Sequence, residues 1–455
     1  MINTLYLPEI REMLQTQNGA ELKEFCEALH PAATADFMEG LTADETWGVL
    51  VHASPETQSE IFNYFDHGKQ LEIITTQDRT AIAQLLVSFA LDDRVDLLNE
   101  LSPELSQELL DLMPADARRE TQRIQAYEEG TAGAVMTTEV AKLSESISVR
   151  EAFVHLQQQS HELETIYYIY VVDDSDHLRG VLSARDLISA LARPDRLLSE
   201  IMETEPITVD VSDDQEEVLK KVAYYDLLAI PVVDPQHRML GIITHDDVID
   251  VALEEAAEDA HKIAGVAPLE NSYLRTGLMS LCWRRAVWLA PLFFAAMLTA
   301  KAIKIFEEPL EATPWLYLFL PLVISSGGNS GNQSATLVIT GLTKGDIGPL
   351  DWLRVVGREF AMGLMLGTIL ALVYLPVARL IEPSIDTWQA LSVVPATLLL
   401  VVCCGTLFGS ILPLIFHRMG QDPALMSNPF VAGIIDIVGI VVYVGVAMLL
   451  LGSGS

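Results

Sequence analysis

Five long apolar stretches follow Arg285 in this chain of 455 residues. Each reaches or exceeds the roughly 20 residues that a helix needs to cross a bilayer. A soluble core does not need five such runs in succession. The pattern therefore predicts an all-α membrane domain over residues 276–455, with transmembrane helices at approximately 286–306, 316–341, 356–378, 391–416 and 429–451.

Basic residues in the loops predict the orientation of these helices. On the side shared with the preceding part of the chain lie Arg275, Arg284, Arg285, Lys344, Arg354, Arg358 and Arg418. The opposite loops hold Lys301, Lys304 and Arg379. The positive-inside rule then places the N-terminus in the cytoplasm and, after five crossings, the C-terminus outside. Since the N-terminus also lacks the pattern of a signal peptide, we expect a multi-pass membrane protein whose acidic N-terminal half is cytosolic and whose apolar half is in contact with the lipid bilayer.

Residues 135–250 contain one pattern twice. The segment 167–173 recurs as 228–234, and the segment 180–186 recurs as 241–247, both at a lag of 61 residues. Val135-Met136 recurs as Ile201-Met202 at a lag of 66 residues. Each copy predicts the order strand, helix, strand, turn, strand, helix, which is an α/β module.

A shorter repeat of 24 residues covers residues 31–113. Its first positions, 31, 55, 79 and 103, are proline three times and arginine once. Apolar residues recur six, seven and ten positions later, namely Phe37, Ile61, Leu85, Leu109, Met38, Phe62, Leu86, Leu110, Leu41, Phe65, Phe89 and Met113. That spacing is one face of a helix, and proline suits the first helical turn. The repeat predicts a small α-helical superhelix over residues 1–130 that supports other modules or binds them.

The charge of the chain is divided unequally between its two parts. The formal net charge is -35, from 28 basic and 63 acidic residues, although 50% of the residues are apolar. Residues 1–270 hold 18 of the bases and 53 of the acids, and the remainder holds ten of each. A polyanionic domain repels nucleic acid and attracts cations, so we expect no nucleic-acid partner. The four cysteines have neither zinc-site spacing nor a disulfide framework.

The second apolar stretch is interrupted by the polar segment 325–334, which contains Asn329 and Asn332. Backbone that opens at membrane depth must be buried in protein or line a water-filled path. Close helix packing through small residues is the alternative. Packing does not need the amides, however, so both asparagines are candidate pore residues.

Asp436 is the carboxylate placed well inside the fifth stretch. Its insertion costs roughly 2.5–3.5 kcal/mol, so such a residue is a functional candidate, with an interhelical hydrogen bond as the structural alternative. A carboxylate selects cations by sign, and one per chain suggests more than one chain around a pore. Carboxylate and amide oxygens suit hydrated Mg²⁺, and equally Mn²⁺ or Ca²⁺. Glu359, beside Arg358 near a span end, fits an interfacial ion pair.

Carboxylates also gather at two places in the acidic part. Asp92 and Asp96 share one helix face. A helix predicted over 245–259 carries a stripe of like charges, with two more carboxylates beside it: Asp247, Asp250, Glu254 and Glu258, then Glu255 and Asp259. Like charges at this spacing destabilise an isolated helix. A solvated face is one interpretation, and ligation of hard divalent cations is the other.

The whole chain resembles MgtE-type magnesium channels. The resemblance rests on the order of the modules and on the segments 258–276, 327–337, 422–424 and 428–430 together with Asp436. Within it, residues 131–200 and 201–250 resemble a pair of CBS domains. Such pairs often bind adenosine nucleotides such as ATP, which makes candidates of Tyr170, Ser183, Arg185, Asp186, Thr244 and Asp247. Other CBS pairs are structural or respond to metals, so nucleotide binding stays open.

The resemblance implies a homodimer with its pore between the subunits. Its multidomain fold is an α-helical superhelical N-domain, an α/β CBS-domain pair, a long plug helix (247–275) and the five-helix membrane domain. It also implies that Asp436, with Asn428 and the backbone near Ala432, holds hydrated Mg²⁺. Cytosolic Mg²⁺ would hold the pore shut by bridging modules through Asp92, Asp96, Asp247, Asp250, Glu255, Glu258 and Asp259.

The implied function is a Mg²⁺-selective channel for magnesium uptake. A Na⁺- or H⁺-coupled divalent cation transporter is the alternative, because transporters also place amides and carboxylates at broken helices. Inverted repeats, which usually mark that class, are not found in the sequence. No constellation of nucleophile and base suggests an enzyme.

Overall fold

The computed structural model describes residues 6–159, 163–269, 273, 276–348, 350–383, 385–425 and 428–452. Part of the segment before the first apolar stretch, including Arg275, lies outside the described residues. The chain divides into two compact units, Met1–Ala252 (unit 1) and Leu253–Ser455 (unit 2).

Unit 1 begins with ten short helices: α1 (Leu7–Gln15), α2 (Gly19–Ala28), α3 (Pro31–Met38), α4 (Ala43–Leu50), α5 (Pro55–Asn63), α6 (His67–Thr76), α7 (Arg79–Val87), α8 (Leu91–Asn99), α9 (Pro103–Leu112) and α10 (Ala115–Ile124). Helices α3, α5, α7 and α9 begin at the four predicted repeat positions. Helices α4, α6, α8 and α10 also begin every 24 residues, so each repeat contains a second helix that the pattern does not predict.

Local chemistry explains where these helices begin. The side chains of Ser54 and Ser102 accept hydrogen bonds from the first turns of α5 and α9, each of which starts with proline. Thr42 and Glu45 form a reciprocal capping box at α4. Of the twelve apolar repeat residues, all except Phe37 are buried, so the predicted helix face forms the core of this part.

Two α/β modules complete unit 1. The short α11 (Ala132–Val135) leads into β1 (Val140–Ser144), α12 (Val149–Gln159), β2 (Thr165–Val172), β3 (Leu178–Ser183), α13 (Ala184–Ala190) and β4 (Glu203–Thr204). The second module has β5 (Val209–Asp210), α14 (Gln215–Tyr225), β6 (Ala229–Val233), β7 (Met239–Thr244) and α15 (His245–Ile263). The sheet orders are β1-β2-β3-β4 and β5-β6-β7, with the first pair parallel and the later pairs antiparallel. The predicted element order is confirmed.

Unit 2 contains the end of α15 and six further helices: α16 (Leu278–Ile305), α17 (Glu307–Ala312), α18 (Trp315–Thr343), α19 (Trp352–Ile381), α20 (Trp388–Arg418) and α21 (Asn428–Leu451). Among the described residues, four helices are long and apolar enough to cross a membrane, namely α16, α19, α20 and α21. Helix α18 has 29 residues but carries the polar segment 325–334. The prediction of five spans is therefore supported for four helices.

Helix α18 packs tightly against α20 through glycines. The backbones of Gly327 and Gly331 face those of Gly405 and Gly409, and a Cβ on Gly409 would collide with the carbonyl oxygen of Gly331. Close packing by small residues is thus one role of the polar segment. It accounts for the glycines but not for the asparagines.

Candidate functional site

One face of α18 lies against α21 and carries polar residues of the interrupted stretch. A methyl group on Gly328 would lie 3.6 Å from the Cβ of Ala432. About two turns after Gly328 on α18, the Thr336 hydroxyl accepts a hydrogen bond from Nδ2 of Asn428 on α21 at 3.1 Å. Helical spacing places Asn332 on the same face, between these two contacts.

Asp436 lies one turn beyond Ala432 on α21 and is half-buried. A methyl group on Gly328 would lie 3.9 Å from its Oδ1. The missing side chain of Gly328 therefore leaves space beside the carboxylate. A hydrated Mg²⁺ needs such space, because the ion gives up its water reluctantly.

The two asparagines of the polar segment occupy different environments. Asn332 is half-buried, and its Oδ1 is buried without a hydrogen-bond partner among the described residues. Asn329 is exposed and donates a hydrogen bond to the Ser325 hydroxyl of its own helix at 3.2 Å. The two predicted pore residues thus lie on different faces of α18, because Asn329 is about a quarter turn away from the Gly328 face that carries Asn332.

In the part of the chain that the structure describes, Glu359 forms no ion pair with the neighbouring Arg358 and bonds to a hydroxyl instead. Its carboxylate accepts a hydrogen bond from the Ser334 hydroxyl of α18 at 2.5 Å. Its backbone carbonyl accepts one from the Thr406 hydroxyl of α20 at 2.9 Å. Glu359 thus fastens α19 to two neighbouring helices, since α18 offers a hydroxyl within reach.

A second concentration of carboxylates lies in unit 1, where the first turns of α8 and α15 share a hydrophobic core. We call it the acidic cluster, and its members are Asp92, Asp93, Glu139, Glu164, Asp246, Asp247 and Asp250. Burial, and then the negative charges of neighbouring members, raises the pKa values of Asp92, Asp93, Glu164 and Asp247. The cluster is consequently a region of strong negative potential.

Asp92 is the most buried carboxylate of the acidic cluster, with 9% of its surface exposed. Its Oδ1 has no hydrogen-bond partner in the described part of the chain. Burial first, and then the negative charge of Asp247, raises the pKa of Asp92 well above its ordinary value. An unsatisfied buried polar atom costs roughly 1–3 kcal/mol, more when it is charged, so a cation is favoured here.

Asp247 also caps the start of α15. Its Oδ2 accepts hydrogen bonds from the backbone N–H of Thr244 at 3.1 Å and from the Thr244 hydroxyl at 2.5 Å. Burial nevertheless raises the pKa of Asp247.

The neighbouring cation Arg94 is buried and directs its guanidinium to the backbone carbonyls of Leu86, Val87 and Phe89. Most of its hydrogen-bonding capacity is therefore used within the N-terminal helices.

The carboxylates do not form a closed coordination shell. Across the described ranges, no three His, Cys, Asp or Glu side chains converge as a ready metal site. Asp96 is exposed on α8, one turn after Asp92. The other predicted residues lie on the part of α15 that belongs to unit 2: Glu254, Glu255, Glu258 and Asp259. The structure thus separates the predicted regulatory residues into two groups.

Comparison with known proteins identifies the modules. Family models match the N-terminal helices (MgtE intracellular N domain, residues 29–130), the two α/β modules (CBS domain, residues 132–193 and 198–254) and the membrane helices (MgtE, divalent cation transporter, residues 320–446). The chain is 37% identical to the magnesium transporter MgtE of Thermus thermophilus, over 97% of this chain and 98% of the relative. This chain belongs to the MgtE family. The resemblance seen in the sequence is confirmed.

Two further relatives agree with this membership. The magnesium transporter MgtE of Bacillus subtilis is 33% identical over 91% of this chain and 87% of its own length. A solved structure, the cytosolic domain of the Mg²⁺ channel MgtE in complex with ATP, is 35% identical. That match covers 53% of this chain and 98% of the solved one, with a TM-score of 0.50.

In this MgtE-family chain, four of the six predicted nucleotide residues lie on β2 or at the junction of β3 and α13, and the other two, Thr244 and Asp247, lie at the junction of β7 and α15. Ser183 and Asp186 form a capping box at α13, in which the Ser183 hydroxyl donates to Asp186 at 2.5 Å. Arg185 is exposed on the same turn. The Tyr170 side chain is buried among apolar residues of both CBS domains, and its hydroxyl has no partner among the described residues. The structure therefore has exposed polar groups at the start of α13 and, separately, a buried tyrosine hydroxyl without a partner among the described residues on β2.

Sequence reasoning missed four members of the acidic cluster: Asp93 and Asp246, which directly adjoin predicted residues, and two glutamates. Glu139 and Glu164 directly precede the parallel strands β1 and β2, and the backbone N–H of Glu164 donates to the carbonyl of Glu139 at 2.9 Å. Partial burial of its carboxyl group, followed by nearby carboxylates including Asp247, raises the pKa of Glu164 to about 7, although the residue as a whole is exposed. Parallel pairing of the first two strands would have predicted their proximity, because it brings the residues before both strands to one edge.

Proposed function

We propose that this protein is a Mg²⁺ channel for magnesium uptake across the bacterial cytoplasmic membrane, closed by cytosolic Mg²⁺. The observation that carries the proposal is Asp436, a carboxylate inside the apolar helix α21. It lies beside the space that the missing side chain of Gly328 leaves. Such a residue is expensive at membrane depth and marks an ion pathway. The names of its relatives, magnesium transporter and Mg²⁺ channel, support this function.

Mg²⁺ crosses this pathway with much of its water shell. Asp436 supplies the negative charge, while Asn428 and the backbone near Ala432 supply oxygen atoms for the bound water. Asn332 adds an amide oxygen that has no partner among the described residues. Anions are excluded by charge. The same ligand set suits Mn²⁺ and Ca²⁺, which makes these ions the competitors to test.

Helix α18 supplies the remaining transmembrane crossing in this proposal, and it is the second of the five along the chain. Its 29 residues extend over about 43 Å, which exceeds a hydrocarbon core of about 30 Å. It packs between α20 and α21, both of which are apolar enough to span a membrane. Five crossings and the distribution of basic loop residues support an N-terminus in the cytoplasm and a C-terminus outside.

The functional protein is a homodimer. Ser325, Asn329 and Gln333 follow one exposed line of α18 at membrane depth. Lipid tails offer no hydrogen bonds to amides. A second copy that covers this line surrounds the pathway with protein and contributes its own Asp436.

Cytosolic Mg²⁺ closes the channel through α15, the plug helix. In the absence of Mg²⁺ the carboxylates of the acidic cluster repel one another. Hydrated Mg²⁺ bound near Asp92, Asp96, Asp247 and Asp250 neutralises them and holds α8 and the start of α15 together. The same helix continues into unit 2, where its further carboxylates, including Glu255, Glu258 and Asp259, respond to Mg²⁺.

ATP binds in the CBS pair in the same proposal. The hydroxyl of Tyr170, which has no partner among the described residues, fits a hydrogen-bonding ligand, and the polar groups at the start of α13 fit a nucleotide. Arg185 would pair with phosphate, and Ser183 and Asp186 would receive ribose or phosphate groups. The related cytosolic domain solved with ATP supports this assignment.

Flux measurements in liposomes test the transport step. A channel carries Mg²⁺ along its gradient and the membrane potential alone, whereas a coupled transporter needs a Na⁺ or H⁺ gradient. Asp436→Ala is expected to abolish Mg²⁺ flux, and Asp386→Ala, which changes an exposed loop carboxylate, to leave it intact. Full flux in Asp436→Ala, or a strict need for a counter-ion, would contradict the proposal.

Neutralised carboxylates test the closing step. A channel with Asp247→Asn, Asp250→Asn and Glu258→Gln is expected to keep its flux when internal Mg²⁺ is raised to millimolar levels. A matched control neutralises three exposed carboxylates outside the acidic cluster, Asp174, Glu203 and Asp226. Normal closure of the first variant would show that these residues do not sense Mg²⁺.

A further inference from the structure

The last turn of α15 holds a lysine between two carboxylates. Nζ of Lys262 lies 2.5 Å from Oε1 of Glu258, one turn earlier, and 2.7 Å from Oδ2 of Asp422. Only 20% of the Lys262 side chain is exposed. Burial alone would lower the pKa of Lys262, but the hydrogen bonds that its ammonium donates to Asp422 and Glu258 raise it, so the group stays a cation.

Asp422 belongs to the segment that leads into α21. Its Oδ1 accepts a hydrogen bond from the backbone N–H of Ala424 at 2.8 Å and so shapes the single 3-10 turn Pro423–Leu425. Ala424 is fully buried in the core of unit 2. Asn428, a proposed Mg²⁺ ligand, begins α21 immediately afterwards.

The end of α15 is held in place on both sides of Lys262. Ile263 packs against the same core of unit 2. The helix then closes at Gly265, whose φ of 71° suits glycine, and Val266 donates its backbone N–H to the carbonyl of His261. All of these contacts join residues of unit 2, which is one compact unit.

We propose that Lys262 is a positioning residue that couples the plug helix to the pore helix. Its ammonium group takes the position between Glu258 and Asp422 that would otherwise need a soluble cation. It thereby fastens the end of α15 to the beginning of α21 whether or not Mg²⁺ is bound. The inference rests on the proposed function, because it assigns a residue to the closing step.

The physical argument is the balance of charge at a partly buried point. Without Lys262, Glu258 and Asp422 face each other at short range and repel. Partly buried pairs are screened by salt much less than exposed ones, and a lost partner leaves an uncompensated charge. The end of α15 then separates from the beginning of α21 more readily, so closure needs more Mg²⁺. The face that carries Asp436 is not altered, so maximal flux stays the same.

Full-length protein in liposomes tests the inference, with flux measured against internal Mg²⁺. Lys262→Gln is expected to raise the Mg²⁺ concentration for half closure at least threefold at unchanged maximal flux, and Lys262→Arg to keep it near the wild-type value. The control is Lys220→Gln, since Lys220 also bridges two carboxylates, Glu216 and Glu217, but within one helix. It is expected to leave closure unchanged.

A charge exchange separates pairing from simple structural support. Lys262→Asp combined with Asp422→Lys is expected to close at a lower Mg²⁺ concentration than Lys262→Asp alone, because the exchanged lysine again lies between carboxylates, although the bond from Ala424 to Asp422 is lost. Failure of this exchange, or an unshifted Lys262→Gln, would overturn the inference. If Lys262→Gln does not fold, the flux of the double variant Lys262→Asp with Asp422→Lys tests the inference by itself. A wild-type protein that Mg²⁺ does not close would instead overturn the proposed function, and this inference with it.

Discussion

Asn428 and Thr336 form hydrogen bonds with each other. They join α21, the helix that carries Asp436, to the neighbouring helix α18. Nδ2 of Asn428 donates to the Thr336 hydroxyl at 3.1 Å, and the hydroxyl lies 3.4 Å from Oδ1 of Asn428. Both side chains are half-buried. The orientation of a proposed Mg²⁺ ligand on α21 is therefore set by a residue on α18 that is not itself a ligand.

Removal of that hydroxyl is expected to weaken transport without unfolding the protein. Thr336→Val keeps the shape of the side chain but leaves the Asn428 amide without its partner, at a cost of roughly 1–3 kcal/mol. We expect Mg²⁺ flux at low Mg²⁺ to fall at least fivefold, while Thr336→Ser retains it. Thr343→Val is the control, because Thr343 bonds only to its own helix. Unchanged flux in Thr336→Val would show that the pair is dispensable.

The glycine contact between α18 and α20 predicts a loss of stability. In Gly409→Ala the new methyl group would overlap the carbonyl oxygen of Gly331, so the helices must separate. Overpacking of this kind typically costs 1–3 kcal/mol. Gly445→Ala is the matched control, since nothing lies within 4 Å of its added methyl group. Thermal unfolding in detergent is expected to shift downward for Gly409→Ala only, and equal shifts would contradict the packing.

Glu164 predicts how stability depends on pH in the absence of Mg²⁺. Its pKa is raised from 4.5 to about 7, so between these values the folded chain holds a proton that the unfolded chain has lost. The free energy of unfolding therefore falls as pH rises through this window. Glu164→Gln is expected to flatten the dependence and to raise the unfolding temperature above pH 7. Thermal unfolding of the full-length protein with EDTA checks this.

The exposed Glu203→Gln serves as the control for that series, because it lies outside the acidic cluster. Wild-type protein given Mg²⁺ above pH 7 is expected to recover the stability that the rising pH removed, since a bound cation replaces the proton. A pH dependence that Glu164→Gln does not change would mean that another group of the cluster titrates in this window.

The orphaned hydroxyl of Tyr170 predicts two opposite effects of one substitution. Tyr170→Phe is expected to stabilise the nucleotide-free protein by about 1 kcal/mol, because it removes an unsatisfied buried group. It is also expected to reduce the stabilisation that ATP provides. Unfolding temperatures with and without ATP measure both effects, with Tyr168→Phe as the control. A gain in stability with undiminished ATP stabilisation would show that the nucleotide does not use this hydroxyl.

Periodic features of this protein were accessible from the sequence. The helices that begin at Pro31, Pro55, Arg79 and Pro103 follow from a 24-residue repeat, because helix starts and buried faces depend on local spacing. The strands β3 and β7 lie 61 residues apart, as the α/β repeat predicts. Asp436 stands out because a carboxylate in an apolar span has a large solvation penalty wherever the span packs.

Which polar groups meet was decided only by the tertiary structure. Asn329 and Asn332 look equivalent in the sequence, yet only Asn332 lies on the helix face toward Asp436. The sequence by itself determined the modules and the charged residues, since these depend on composition and period. Only the packed fold decided that Glu164 joins Asp92, that Glu359 bonds to Ser334 and that Lys262 bonds to Asp422. These pairs are distant along the chain, and local spacing carries no information about which helix faces come together.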